Sequence, residues 1–243
     1  MRKVSACLST LALVALAVPS FAQGGGAQPA APKTVVVKAA RLFDGKSDRT
    51  VSPGVIVVSG GRIQAVGAQA RVPADAEVID LGDATLLPGF MDAHTHITGE
   101  ATADWKQDEL DAFKKSLPEQ AHDMAGLARR TLLIGFTTVR DLGSAELLDV
   151  GLRNAINNWK IEGPRVLAAV RGISATGGHC DPTGGYRPDL FNPALNLDSS
   201  VADGPDAVRR AVRQNIKQGA DVIKVCAPRG RLRGRHDRRQ CQG

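Results

Sequence analysis

The sequence is poor in aromatic residues, which make up 4% of its 243 positions. Its core must therefore consist mainly of Val, Ile, Leu and Ala, as in α/β proteins with buried parallel strands. Cysteine is also scarce, and the four cysteines show neither zinc-ribbon nor redox-pair spacing, so no disulfide framework is implied. We expect Cys226 to be a buried strand residue and Cys180 to lie in a loop.

Most of the chain has almost no net charge, although the net charge of the whole sequence is +6. Residues 229–243 carry six arginines against Asp237 alone, which is +5, and residues 1–22 carry Arg2 and Lys3 without an acid. Residues 23–228 therefore hold a net charge of −1. This nearly neutral body argues against nucleic acid as a partner.

The N-terminal apolar run is too short for a transmembrane helix and is typical of a secretory signal. Arg2 and Lys3 precede the apolar residues 8–18, and residues 20–22 fit the small-x-small cleavage rule. We therefore expect residues 1–22 to be a signal peptide, with no membrane anchor and a periplasmic or secreted mature protein. Residues 23–33, rich in Gly, Ala and Pro, are predicted to be a disordered linker.

The remaining chain divides into a β-rich part and an alternating part. Residues 34–84 predict a small β-sandwich, with strands at 34–38, 54–59, 62–66 and 77–81 and a hairpin at Gly60-Gly61. Residues 85–227 alternate strands (85–94, 136–140, 165–170, 222–226) with helices (105–117, one from Pro118, 145–159, 205–218). This alternation predicts an α/β fold in which crossover helices join parallel strands, and residues 174–204 predict a long functional loop.

His94 and His96 lie at the end of the first strand of the alternating part. Strand residues two apart point to the same face, so the two imidazoles converge on one point. Such a pair suits a divalent metal such as zinc. The alternative is a chance His-x-His sequence in a loop.

Three further polar residues follow later strands, where the active sites of (β/α)₈ barrels lie. Lys224 in an apolar strand would have a lowered pKa and could form a carbamate with carbon dioxide, but composition alone favours a lysine that reaches solvent. His179, after paired glycines, could bind a substrate carboxylate or be a surface-loop residue. For Asp141, we favour a structural role, such as capping the next helix, over holding a metal-bound histidine.

The motif LPGFMDAHTH at residues 87–96 resembles the first-strand motif of the amidohydrolase superfamily. TTVRDLG at 137–143, GGH at 177–179 and GADVIKV at 219–225 narrow the resemblance to the imidazolonepropionase-like branch that includes Xaa-Pro dipeptidases (prolidases). The resemblance covers about residues 34–227. It implies a composite β-sandwich beside a metal-dependent (β/α)₈ TIM barrel, of which this chain holds about four β/α units.

By this resemblance, His94 and His96 bind one metal ion and Lys224 is a carbamylated ligand that bridges two. The implied cofactors are one or two divalent ions, with zinc expected, and carbon dioxide as the lysine carbamate. The implied activity is hydrolysis of amide C–N bonds by a metal-activated hydroxide, with Xaa-Pro dipeptides or N-acyl amino acids as substrates and His179 as a substrate-binding residue. The family resemblance also allows a homo-oligomer.

The family's other ligands, two histidines on the fifth and sixth strands and an aspartate on the eighth, have no counterpart in residues 1–243. We interpret residues 228–243 as an aberrant Arg-rich tail produced by a frameshift, and we expect this chain to be an inactive fragment that aggregates. Two alternatives remain open. One is a non-enzymatic metal- or ligand-binding periplasmic protein, and the other is a hydrolase of cyclic amides such as imidazolones.

Overall fold

A computed structural model describes residues 33–183, 187 and 201–227. The backbone divides into two compact units, Met1–Leu87 and Pro88–Gly243, which are described separately. The predicted signal peptide, nearly all of the predicted linker, the Arg-rich tail and part of the 174–204 loop lie outside the described residues. Within the described ranges, every helix falls short of the length and apolar character that crossing a membrane requires.

The first unit contains two small sheets. Their six strands are β1 (Thr34–Ala39), β2 (Arg41–Leu42), β3 (Gly54–Ser59), β4 (Arg62–Val66), β5 (Glu77–Asp80) and β6 (Thr85–Leu86). The four-stranded sheet has the order β4-β3-β1-β5, in which β1 pairs antiparallel with β3 and parallel with β5. The two-stranded sheet joins β2 to β6.

The predicted hairpin at Gly60-Gly61 is confirmed. Both glycines have positive φ, 58° and 71°, which matches the twist of the antiparallel β3–β4 pair. Val36, Val55 and Val57 form the buried core of this unit, as expected for a chain with few aromatic residues.

The second unit alternates strands and helices along the chain. Its elements are β7 (Phe90–Thr95), α1 (Trp105–Lys114), α2 (Leu117–Leu133), β8 (Phe136–Asp141), α3 (Leu148–Asn157), β9 (Arg165–Ala168) and α4 (Pro205–Gln218). The three strands are parallel and have the order β7-β8-β9. The predicted alternation is therefore confirmed through β9.

The core of the second unit lies between the sheet and its helices. Met124 and Ala128 of α2 pack with Val139 of β8, Leu152 of α3 and Val166 of β9. These contacts hold the strands in place relative to the helices, and thereby position the side chains at the strand ends.

The predicted continuous strand over residues 85–94 is wrong. β6 ends at Leu86 and β7 begins at Phe90, since Pro88 lacks an N–H for a ladder and Gly89 adjoins Thr137 closely. An ideal Cβ on Gly89 would lie 2.1 Å from the Thr137 Oγ1.

The start of α3 and the last predicted strand also differ from expectation. Glu146 and Leu147 have left-handed φ values of 46° and 62°, so α3 begins at Leu148 rather than at Ala145. The predicted strand 222–226 is reduced to one parallel bridge between Ile173 and Val225. Val225 is 58% exposed, so this segment is not a strand that is buried on both faces, as the parallel strands were expected to be.

Candidate metal centre

β7 brings His94 and His96 to the end of the parallel sheet. The two ring centroids are 5.7 Å apart, with the planes inclined by 62°. The backbone N–H of His94 donates to the Asp92 Oδ1 at 2.9 Å, which fixes the strand just before the pair. Both histidines are exposed, so their ring nitrogens are accessible to an ion from solvent.

The His96 ring is oriented by a backbone carbonyl of the neighbouring strand end. Its Nδ1 lies 2.9 Å from the Gly143 carbonyl oxygen. A carbonyl only accepts, so Nδ1 carries the proton and Nε2 holds the lone pair in the neutral ring. This is the arrangement found at metal-binding histidines, whose second nitrogen donates to the protein.

Lys224 reaches the same place from a segment 130 residues further along the chain. Its Nζ lies 3.5 Å from the His94 Nε2. Partial burial, and then the neighbouring Lys224 and His96, lower the pKa of His94, which favours its neutral form. The structure thus brings His94, His96 and Lys224 together, although Lys224 is half-buried and not enclosed in a strand as expected.

The segment that carries Lys224 is anchored by Asp221. The Asp221 Oδ2 accepts the Ala168 N–H at 3.0 Å and an Arg153 Nη1–H at 2.6 Å. The same Arg153 nitrogen donates to the Gly219 carbonyl at 2.6 Å, at the end of α4. Arg153 therefore ties α3 and α4 to the start of the Lys224 segment.

A disulfide joins Cys180 and Cys226, 46 residues apart, with a Cα–Cα distance of 5.9 Å. The sequence did not imply this bond, because the spacing of the cysteines along the chain carries no information on which of them meet in the fold. Cys180 follows His179, and Cys226 lies two residues after Lys224. The bond thus connects the predicted substrate loop to the predicted ligand segment.

His179 lies exposed in a turn of that loop. The turn is held by Asp181, which accepts the Gly177 and Thr183 N–H groups, and by Asp203, which accepts from Thr176. In the described part of the chain, the His179 side chain makes no hydrogen bond with His94, His96 or Lys224. The structure therefore brings its loop to the Lys224 segment without bringing its imidazole into the cluster.

Asp141 does not cap α3, whose N-cap is Leu147. Among the described residues, its carboxylate makes no direct hydrogen bond with a histidine side chain. Instead, its fully buried carboxylate accepts the Ile97 N–H at 2.7 Å and the Gly143 N–H at 3.1 Å. Gly143 is part of the TTVRDLG motif, but sequence reasoning assigned it no role in orienting His96.

The donor set fits a divalent cation. His94 favours its neutral form, His96 has a free Nε2, and Lys224 offers a third donor once it is neutral or carbamylated. Among the residues that the structure describes, no three His, Cys, Asp or Glu side chains converge. Lys224 is therefore the residue that would extend the histidine pair to three ligands.

Similar proteins share this part of the chain. A solved Xaa-Pro dipeptidase with bound methionine is 38% identical, with a TM-score of 0.70 over 79% of this chain and 47% of its own. A prolidase complexed with N-methylphosphonate-L-proline is 29% identical, with a TM-score of 0.66 over 79% and 46%. Ochratoxinase of Aspergillus niger is 29% identical over 82% of this chain and 43% of its own length.

This chain therefore spans about half the length of the relatives it matches. The model of the amidohydrolase family matches residues 85–241, which is more than half of the chain and includes every residue of the cluster. The chain belongs to the amidohydrolase family.

Proposed function

We propose that this protein is a metal-dependent hydrolase of amide C–N bonds, acting on dipeptides such as Xaa-Pro or on N-acyl amino acids. The observation that carries the proposal is the 3.5 Å approach of the Lys224 Nζ to the His94 Nε2. Two residues 130 positions apart meet beside a second histidine whose ring is already oriented. The names of the Xaa-Pro dipeptidase and the prolidase support the substrate class.

In this proposal, His94 and His96 hold a divalent ion, with zinc expected, and Lys224 holds it as a carbamate. The neutral Lys224 amine adds to carbon dioxide, which forms an N–C bond and releases one proton. A divalent ion bound there lowers the pKa of a water molecule and polarises a carbonyl group. In the same proposal, His179 binds the free carboxylate of the substrate; the Cys180–Cys226 bond, which joins its loop to the Lys224 segment, supports this role.

The wider architecture is part of the same proposal. The three parallel strands and the Ile173–Val225 bridge are the first four positions of a (β/α)₈ barrel, and the sheets of the first unit belong to a β-sandwich. We also propose an exported protein whose signal peptide is residues 1–22. Relatives named imidazolonepropionase, one of them 32% identical over 101 residues in an Arthrobacter species, favour a cyclic-amide hydrolase as the second candidate.

Metal content tests the site directly. The purified chain is loaded with Zn²⁺ in bicarbonate, passed through gel filtration and analysed for retained metal. We expect retention by the wild type and by the matched controls H122A, on α2, and K160A, on the surface, and loss in H94A and K224A. A ¹³C NMR signal from ¹³CO₂ that disappears only in K224A would identify the carbamate.

Release of amino acids from Xaa-Pro dipeptides, N-acyl amino acids and cyclic amides tests the reaction. The assay uses this chain loaded with zinc, with the zinc-free chain as the control. Zinc-dependent proline release supports the proposal. Retained zinc without hydrolysis of any amide would favour the ligand-binding alternative and overturn the hydrolase assignment.

A further inference from the structure

The Asp141 carboxylate joins two backbone positions that both control the His96 ring. Its Oδ2 accepts the N–H of Ile97, the residue after His96, at 2.7 Å. Its Oδ1 accepts the Gly143 N–H at 3.1 Å, and the Gly143 carbonyl in turn accepts the His96 Nδ1–H at 2.9 Å. One carboxylate therefore holds both the backbone that carries the ring and the acceptor that orients it.

The surroundings of Asp141 make this connection rigid. The side chain is fully buried, where hydrogen bonds compete little with water. The Leu142 N–H donates to the Thr95 carbonyl at 2.9 Å, which aligns the ends of β7 and β8. Gly143 has a φ of 135°, which L side chains rarely adopt, and an added Cβ would lie 3.4 Å from the Gly172 nitrogen.

We propose that Asp141 is a positioning residue for the candidate metal centre, which keeps His96 in the Nδ1–H form with Nε2 available to an ion. The metal part of this inference rests on the proposed function. The orientation of the ring does not, because it is a property of the metal-free protein.

The test is D141N in the full chain. Asparagine has the same size, but its Nδ2 cannot accept, so one of the two backbone N–H groups loses its partner. Histidine-selective ¹⁵N NMR of the metal-free protein reports the His96 tautomer, with the signals assigned through H96Q. We expect D141N to populate both tautomers of His96 and to weaken Co²⁺ binding about tenfold or more, as substitutions behind metal ligands do.

D149N is the matched control. Asp149 is also fully buried, and its Oδ2 accepts the Val170 N–H at 2.7 Å, but it holds neither Ile97 nor Gly143. We expect D149N to lower stability while leaving the His96 nitrogen signals and the Co²⁺ affinity as in the wild type. A merely structural Asp141 would give the same result in both variants, and that result would overturn the proposal.

The two proposals fail in distinguishable ways. A wild type that binds no Co²⁺ would remove the metal function, whereas the tautomer comparison would still decide the role of Asp141. Should D141N not fold, D141E keeps both acceptor oxygens but displaces them by a methylene group. A shifted His96 signal in D141E supports the positioning role, and an unshifted one overturns it.

Discussion

Gly89 shows how one missing side chain lets two strands approach. An ideal Cβ there would lie 2.1 Å from the Thr137 Oγ1 and 2.7 Å from the Thr137 Cβ, too close for rotation of Thr137 to relieve. We expect G89A to lower the free energy of unfolding by about 1–3 kcal/mol through overpacking. Urea denaturation measures the change.

The control is G126A, in the middle of α2, where an added Cβ would meet no atom within 4 Å. Alanine there should raise the free energy of unfolding by about 1 kcal/mol, because glycine is a poor helix former. A G89A variant as stable as the wild type would contradict the close approach.

Asp141 also makes a pH-dependent contribution to the free energy of unfolding. Burial raises the pKa of Asp141 to about 6 from an ordinary 3.8, while the hydrogen bond from Gly143 opposes the shift and Asp149 adds to it. The folded state therefore holds this proton more tightly than the unfolded state. Its stabilising effect is complete below about pH 3.8 and is lost as the pH rises through about 6, an effect of about 3 kcal/mol.

The measurement is urea denaturation of metal-free wild type and D141N between about pH 4 and about pH 7. The difference in unfolding free energy, wild type minus D141N, should fall as the pH rises, because titrations common to both proteins cancel. A difference that stays constant or increases would contradict the raised pKa.

At the scale of the element, α3 is connected to the Lys224 segment through one arginine. Arg153 has a side chain only 14% exposed and donates to both Gly219 and Asp221. We expect R153A to lower the free energy of unfolding by about 1–3 kcal/mol, because it removes a largely buried donor shared by the Gly219 carbonyl and the Asp221 carboxylate. The control R129A, which breaks the exposed Arg129–Glu162 pair, should cost at most about 1 kcal/mol.

R153A should also weaken zinc retention, since Asp221 lies three residues before Lys224. Equal stability and equal zinc content in R153A and R129A would show that the anchor has no effect. Both variants remove one positive charge from the second unit, but the Arg153 side chain is 14% exposed and the Arg129 side chain is 60% exposed. A difference between them therefore reports the effect of burial.

Elements with strong local signals could be predicted from the sequence. The bounds of α4 are as predicted, because Pro205 suits a first turn and Gly219, with a φ of 102°, ends the helix. The bounds of β3 and β4 are also as predicted, because two adjacent glycines determine the hairpin. In these segments the local backbone preferences and the final fold agree.

Other features depend on contacts that local patterns do not contain. The left-handed φ of Leu147 makes α3 begin later than predicted, and the close approach of Gly89 to Thr137 interrupts the predicted strand 85–94. Cys180 and Cys226 are far apart in sequence and meet only in the fold. Of the candidate centre, the shared face of His94 and His96 follows from strand geometry. Lys224 needed the family resemblance, since composition alone pointed to solvent.

At the scale of the whole molecule, the positive charge is concentrated outside the body of the protein. Residues 229–243 contribute +5 of the net +6, and residues 23–228 contribute −1. We expect the full chain to be retained on a polyanion column in a salt-dependent way, and a variant without residues 229–243 to pass through. Equal retention of both forms would place a basic surface on the body.

The same deletion variant should retain as much zinc as the full chain, because His94, His96 and Lys224 all precede the deleted residues. A loss of zinc would mean that the tail contributes to the centre. We therefore expect retention on a polyanion column and retention of zinc to be separable, the first depending on residues 229–243 and the second on His94, His96 and Lys224.

The Cys180–Cys226 bond gives a chemical record of assembly. The two cysteines lie 46 residues apart and pair only when the fold brings their Cα atoms to 5.9 Å, so alkylation of newly made chains followed by peptide mass mapping would show when that pairing occurs. Chains in which both cysteines are alkylated would be those in which Cys180 and Cys226 had not yet paired. The fraction of chains that carry the bond therefore measures how far folding has progressed in this region, without a substrate or a metal ion.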